Sequence, residues 1–297
     1  MNADLTVVVP AFNAARTIAS TLQSIADSSY IPHKVILVND GSTDDTVREV
    51  TRFTTMLNLQ LINQENQGIS CALNNGMKLV KTQFVARLDA DDLVHPQRFE
   101  KQVEFLLKNP KICVLGSSVK EFGNSYSERH YPMSEIAVLL RSTHSTIVAH
   151  PSVTARTLTM TKYKYNSSYN GIEDHELWCR MLAGAVRITN LPEVYTYYRV
   201  HRAQISAKPS RRLMALKTKV NKDFFNHEYV RSRLLAKPIT ESGNNEDVTE
   251  LAVAIIKNEA VHDHFRFQIK DLLRDSRVPL KVKCRLGLAL LGRYYDP

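Results

Sequence analysis

Much is missing from this sequence, and each gap excludes something. The four cysteines, Cys71, Cys113, Cys179 and Cys284, stand far apart with no Cys-x-x-Cys pair. Neither a zinc site nor a disulfide framework is indicated, and a reducing cytoplasm is the expected setting. No apolar stretch approaches the roughly 20 residues that span a bilayer, and MNADLTVVVPAFN has no basic segment leading into a long apolar run, so neither a secreted nor an integral membrane protein is expected. There is no internal repeat and no low-complexity tract. Acidic charge is in deficit, with 39 Lys+Arg against 30 Asp+Glu, a net charge of +9 and a pI near 9.3. Such a balance calls for an anionic partner: nucleic acid, a lipid surface or a phosphorylated small molecule. The excess is uneven, because the stretch from Lys208 onward carries 18 Lys+Arg against 11 Asp+Glu, while the part before it carries 21 against 19. A near-neutral first part weakens the nucleic-acid reading, and nucleic acid is not expected as a partner.

What is present is enough apolar material for a sizeable core, 43% of 297 residues. Thr6 to Val9 reads as a buried parallel strand stopped by Pro10. TIASTLQSIADSS spaces Ile18, Leu22 and Ile25 at helical intervals, and KVILVND is a second strand. TDDTVREVTRF predicts a helix capped by Thr43 with an acidic first turn. LQLINQ is a third strand, GISCALNNGMKLV a helix and FVARLDA a fourth strand. This alternation predicts an α/β fold with a doubly wound, mostly parallel sheet, in which ligands bind at the carboxyl ends of the strands. Asn13, Asp40 and Asp89 fall at or just beyond those ends. Further on, PQRFEKQVEFLLKN predicts a helix, ICVLGSSVKEF a strand, and the segment ending in AHPSVTAR a helix, loop and strand that could face an acceptor. GIEDHELWCRMLAGAVRITNLP predicts a helix and then a strand.

The densest chemistry is in ARLDADDLVHP, where Asp89, Asp91 and Asp92 follow an apolar run. Like charges this close repel, so they form either a solvated acidic turn or a site for a hard dication, Mg2+ or Mn2+, that holds a diphosphate. Arg87, two residues earlier, shares a strand face with Asp89 and serves either to neutralise the carboxylates or to hold a phosphate. Glu173 and Asp174 would by themselves be explained as acids at a helix N-terminus, worth a few tenths to about 1 kcal/mol. Trp178, the single tryptophan, is read as core rather than as a sugar platform, and Asn74 and Asn75 as braces for a neighbouring loop.

Taken together, VVVPAFNAARTIASTLQSI, VILVNDGSTDDT, NQGISCALNNGM, ARLDADD and EDHELWCRM resemble, in order and spacing, the family 2 glycosyltransferases of bacterial polysaccharide and lipopolysaccharide synthesis. The resemblance covers roughly the first 200 residues. It implies a GT-A fold and a nucleotide-sugar donor, with Asp40 accepting a hydrogen bond from a base such as uracil. Pro10, Ala11 and Asn13 would line the nucleotide pocket, joined by Gly68, Arg87 and Asp89. Gly68 is read either as permitting close backbone approach to the ligand or as a loop glycine before a helix. Asp91 and His201 would hold Mn2+ or Mg2+, Arg199 and Arg202 would close over the diphosphate, and His150 would lie in the acceptor region. The resemblance places the general base at Asp174, with Glu173 orienting acceptor or base. A single base without a second nucleophile implies inversion at the anomeric carbon.

The expected organisation is a nucleotide-sugar-binding and catalytic domain, 1–207, followed by a basic helical region, 208–297. SRVPLKVKCRLGLALLGRYYDP interleaves Lys281, Lys283, Arg285 and Arg293 with leucines, and either packs on the catalytic domain or docks on anionic lipid. The second is preferred, giving a cytoplasmic protein peripheral to the inner face of the membrane. The expected activity is metal-dependent, inverting hexosyl or N-acetylhexosaminyl transfer from a UDP-sugar to a saccharide or lipid-linked saccharide. The alternatives are a nucleotidyltransferase, which would release pyrophosphate, and a non-catalytic nucleotide-sugar-binding protein.

Overall fold

Continuous apolar runs bounded by polar loops make the first four strands: Leu5–Ala11 (β1), Lys34–Asp40 (β2), Leu59–Gln64 (β3) and Phe84–Arg87 (β4). They lie parallel in the order β3-β2-β1-β4. The computed structural model describes residues 4–201, 210–235, 245–257, 261, 265, 269–280 and 282–283. Both faces of the sheet are covered, which is why these strands read as unbroken rather than alternating hydrophobicity. Val7, Val9, Val35 and Leu37 face one layer and pack with Ile18, Leu22 and Ile25 of α1 (Ile18–Ala26). The same cluster takes Val50 of α2 (Thr46–Thr51) and Phe99, Val103 and Leu106 of α4 (Arg98–Lys108). Val8, Ile36 and Val38 face the opposite layer, against Leu73 and Met77 of α3 (Ile69–Met77). Each large side chain so buried contributes roughly 1.5–3 kcal/mol.

The sheet continues through β8 (Thr154–Arg156), antiparallel to both β4 and β6 (Val114–Gly123). Next to β6 runs β9 (Ile188–Val200), parallel to it, and β5 (Leu93–Val94) pairs antiparallel with β9. A short β7 (Glu128–Arg129) lies on β6. Helices α5 (Glu135–Ser142), α6 (Thr157–Tyr163) and α7 (Glu173–Ala183) cover this half. The later helices are α8 (Arg211–Asn226), α9 (Glu228–Leu235), α10 (Asn245–Lys257) and α11 (Ile269–Arg274). Val220, Phe224, Val230, Leu234, Val248 and Leu251 join one buried cluster with Leu139 and Leu140 of α5 and Trp178 and Leu182 of α7.

Three local expectations are corrected. Pro10 does not stop β1, which continues to Ala11. Leu5 accepts from His33 on the β2 side and Val8 accepts from Leu88 on the β4 side. Alternation therefore turns the missing N–H of Pro10 toward β4, whose pairing with β1 ends at Val8 opposite Arg87, so no ladder bond is lost. Thr43 is not a helix cap: its N–H donates to Asn13 Oδ1 at 2.9 Å, and α2 begins three residues later. The fourth strand ends at Arg87, short of Asp89, and Asp92 N–H then turns back onto the Asp89 carbonyl at 3.3 Å. Of the terminal basic segment, Leu280 is exposed and Lys283 half-buried. Arg202, Lys281, Cys284, Arg285, Arg293 and the leucines after Arg285 lie outside the described residues. No helix among the described residues is long and apolar enough to cross a membrane.

Candidate active site

The carboxyl ends of β1 and β2 supply the first side of the site. Asn13 adopts a positive φ of 50°, a conformation asparagine tolerates better than most residues. Its N–H donates to Ser42 Oγ at 2.9 Å, and its side-chain oxygen receives Thr43 N–H. Pro10 and Ala11 are buried strand residues beneath this turn, and Phe12 between Ala11 and Asn13 is half exposed. Asp40 is 4% exposed. Its Oδ1 accepts from Gln64 Nε2 at 2.8 Å and Gln67 N–H at 2.9 Å, and its Oδ2 from Gly68 N–H at 2.9 Å. Three of about four lone-pair positions are thus used on the end of β3 and the loop before α3. Gly68 has φ +86°, and a Cβ there would meet Asn170 Nδ2 at 2.5 Å. The close approach that Gly68 permits is therefore to Asn170, not to open space.

Beyond β4 the acids converge. Ligand oxygens of Asp89, Asp91 and Asp92 lie within 4.8 Å of one another. Arg87 is buried and donates from Nη1 to Asp89 Oδ2 at 2.6 Å, so of its two readings the structure shows charge neutralisation. Burial pushes the Asp89 carboxyl up, Arg87 pulls it down and Asp91 pushes it up again. Asp92 is fully buried and raised well above the usual carboxylate range, first by burial and then by Asp89 and Asp91. Its Oδ1 accepts from Arg199 N–H at 2.7 Å, whereas its Oδ2 is buried without a hydrogen-bond partner. His201, immediately after β9, places Nε2 3.0 Å from Asp91 Oδ2. Arg199 does not match the expected clamp. Its Nε donates to the Asp91 carbonyl at 2.7 Å and its guanidinium stacks 4.4 Å from the Phe122 ring centroid, which braces the acidic turn. Beneath lies Arg98, fully buried, donating from Nη2 to the carbonyls of Arg87 and Val153 at 2.9 and 3.1 Å.

The second side is the first turn of α7. Glu173 is 7% exposed and its Oε2 accepts from Gly171 N–H at 2.6 Å. Burial, then the neighbouring Asp174 charge, pushes the Glu173 carboxyl up to about 7. Asp174 is half-buried and accepts from His175 N–H at 2.7 Å. His175 Nε2 in turn lies 2.6 Å from Asn221 Oδ1 of α8. Tyr165 links the two sides: burial raises its hydroxyl, Arg87 lowers it, and Glu173, Asp174 and Asp89 each raise it. One phenol thus feels both acid groups. Its hydroxyl lies 2.8 Å from His150 Nε2, and burial together with Arg87 holds that imidazole well below its ordinary range, neutral. Trp178 is fully buried, 5.9 Å edge-on to His150, so it is core. Asn74 clasps the Tyr165 backbone through two hydrogen bonds of 2.9 Å, and Asn75 Nδ2 donates to Gln64 at 2.8 Å.

The structure therefore brings Arg87, Asp89, Asp91, Asp92 and His201 together, sets Glu173 and Asp174 across from them, and ties Asp40 and Asn13 into the loops at the carboxyl ends of β1 and β2. Sequence reasoning missed Tyr165 and Asn170. A tyrosine after YK and an asparagine before a glycine carry no spacing signal, and only tertiary contacts reveal them.

Comparisons with known proteins bear on the family and the fold. The family model described as Glycosyl transferase family 2 matches residues 6–170. An uncharacterized glycosyltransferase of Haemophilus influenzae is 30% identical over 182 residues, 59% of this chain and 67% of that protein. WfaP of Escherichia coli, a UDP-Glc:alpha-D-GlcNAc-diphosphoundecaprenol beta-1,3-glucosyltransferase, is 23% identical over 214 residues, 71% of this chain and 82% of its own. The crystal structure of S. aureus TarS 1-349 in complex with UDP superposes with a TM-score of 0.62 at 19% identity, covering 98% of this chain and 93% of that one. At that identity the likeness shows the fold, the expected GT-A architecture.

Proposed function

The chain belongs to glycosyl transferase family 2, and from that premise we propose that it transfers a hexosyl or N-acetylhexosaminyl group from a UDP-sugar to a saccharide hydroxyl, with inversion. The product would be a surface polysaccharide, lipopolysaccharide or capsule chain. The carrying observation is the convergence of three carboxylates within 4.8 Å at the carboxyl edge of the sheet. His201 adds a nitrogen 3.0 Å from Asp91. TarS has been solved with UDP, and the name of WfaP gives a UDP-sugar donor and a diphosphate-linked lipid acceptor.

The residues present fit a hard dication: the donors are carboxylate oxygens with one imidazole, and Asp92 Oδ2 is buried without a partner. Asp91 and His201 would hold Mn2+ or Mg2+, with Asp89 beside them. When bound, that ion supplies charge stabilisation to the departing nucleoside diphosphate. Asp40, held by three donors, presents its remaining lone pair to a uracil N–H, and Pro10, Ala11, Asn13 and Gly68 shape the floor around the base. Asp174 takes the proton of the attacking acceptor hydroxyl. Glu173 retains its own proton to about pH 7 and orients the acceptor or the base as a donor. With one base and no second nucleophile, displacement is direct. The basic stretch from Lys208 onward, 18 Lys+Arg against 11 Asp+Glu, supports peripheral docking on an anionic membrane that carries the acceptor.

The test is calorimetric titration with UDP, GDP, dTDP and CMP, with Mn2+ and then with chelator. UDP alone binds tightly, chelator abolishes binding, and Asp91→Asn weakens it by about tenfold or more, roughly 1.4 kcal/mol. Absence of binding by every nucleotide would remove the donor assignment, and an unaltered Asp91→Asn titration would remove Asp91 from the metal site.

A further inference from the structure

We propose that a basic pocket walled by Arg129, His130, Tyr131, Arg141, Ser145 and Thr146 holds a phosphate group of the acceptor. The proposal rests on the glycosyltransferase reading and names the acceptor class as a phosphate- or diphosphate-linked saccharide. The cavity measures about 380 Å³, which is roomy enough for a sugar phosphate. Arginines enter from two separate segments, β7 and α5, and the polar residues Ser145, Thr146 and Tyr131 complete the lining. A tetrahedral group with several acceptor oxygens suits that set better than a neutral sugar face does.

The pocket is held in shape by buried bonds. Asn190, 3% exposed, donates from Nδ2 to the carbonyls of Pro132 at 2.7 Å and Ile147 at 2.9 Å, so one amide ties both walls together. Arg141 does the same from the rim: Nε donates to the Thr146 carbonyl at 3.1 Å and Nη1 to the His130 carbonyl at 3.3 Å. Arg141 Nη1 also lies 3.4 Å from Glu250, while Nη2 has no partner among the described residues. Arg129 pairs with the buried Glu121 and stacks with its guanidinium 5.2 Å from the Tyr198 ring centroid. Each arginine thus has one compensating carboxylate and keeps donors for a ligand.

Its location relative to the site follows from the sheet register. Ala86 of β4 and Leu115 of β6 both pair with Thr154, so they lie at the same level. Arg129 pairs with Val119, four residues further along β6, roughly 13 Å at about 3.3 Å per residue. That direction leads past the end of β4, toward the rim that carries Asp89 and Asp91. Tyr198 of β9, under Arg129, is three residues before His201, which follows the end of that strand. Electrostatics agree, since the Tyr131 hydroxyl is pushed up by burial, pulled down by Arg129 and Arg141, and pushed up by Asp174. The pocket wall and the base therefore feel each other's charge.

The experiment titrates glucose 1-phosphate and methyl glucoside into protein saturated with UDP and Mn2+, which fills the donor site. Wild type binds glucose 1-phosphate and not methyl glucoside. Arg129→Ala and Arg141→Gln each weaken that binding about tenfold or more while leaving UDP affinity unchanged, which also confirms that the variants fold. Equal binding of the two probes, or undiminished glucose 1-phosphate binding in both variants, overturns the proposal. Phosphatidylglycerol vesicles form the third arm: if they are retained through Arg129 while glucose 1-phosphate is ignored, the pocket serves a lipid headgroup and the acceptor assignment falls. Should UDP fail to bind at all, the donor reading is lost separately, and the same titration of unloaded protein still decides the pocket.

Discussion

Replacing Glu173 with glutamine should make the protein more stable at alkaline pH and no more stable at acid pH. In the native state the carboxyl is displaced from 4.5 to about 7, by burial first and by Asp174 second. Between those values the folded protein binds more protons than the unfolded chain, so stability falls as pH rises through the window and levels off above the folded value. At 1.36 kcal/mol per unit, the full displacement amounts to about 3 kcal/mol as an upper figure. Glutamine has the size of the protonated acid, and its oxygen can still accept from Gly171 N–H, now 2.6 Å from Oε2. The variant should therefore match wild type near pH 4 and exceed it by about 1–3 kcal/mol at pH 8. Urea denaturation at pH 4, 5, 6, 7 and 8 reads this directly, since the midpoints should diverge as pH rises. Parallel midpoints across that range would show that Glu173 is not held as a neutral acid. Part of the divergence comes from Asp174, so it should shrink when the comparison is repeated in an Asp174→Asn background.

Asp174→Asn on its own should preserve UDP binding and lower turnover by about 100-fold or more; initial rates with a competent acceptor check it, and wild-type turnover would remove Asp174 as the base. Gly116→Ala should cost about 1–3 kcal/mol of unfolding free energy, because the added Cβ would collide with Val148 Cγ2 and with Asn190 Oδ1. A urea midpoint unchanged within error would show that the β6 wall yields more than its packing suggests.

The parts of the molecule legible in its sequence are those fixed by local pattern. β1 and β2 announce themselves as apolar runs because both of their faces are buried, and Ile18, Leu22 and Ile25 mark α1 because one stripe of that helix is. The acidic cluster is legible because three carboxylates in four positions need an explanation. Pro10 misleads because the usual rule takes no account of which neighbour an N–H faces, and here that neighbour has already left the ladder. Thr43 misleads because Asn13, thirty positions earlier, takes its N–H. Tyr165, Asn170 and the role of Arg199 are illegible for one reason: their partners are 91, 100 and 107 residues away in the chain. The Asn190 stitch hides in the same way, since nothing in RITNLP marks an amide that will bind two distant carbonyls.

The 110 positions that separate Asp91 from His201 also set an order of events during synthesis. The loops after β1 and β2 and the acidic turn leave the ribosome first. At about 5–20 residues per second, the histidine follows some 5–20 seconds later. Until β9 has threaded between β6 and β5, Arg199 cannot reach Asp91 and Asp92, and the acidic turn has neither its brace nor its imidazole. The nascent chain therefore holds an unbraced acidic turn throughout that interval. The three carboxylates of the turn therefore reach their final arrangement only with a strand laid down after α7, although every one of them was made about a hundred residues earlier.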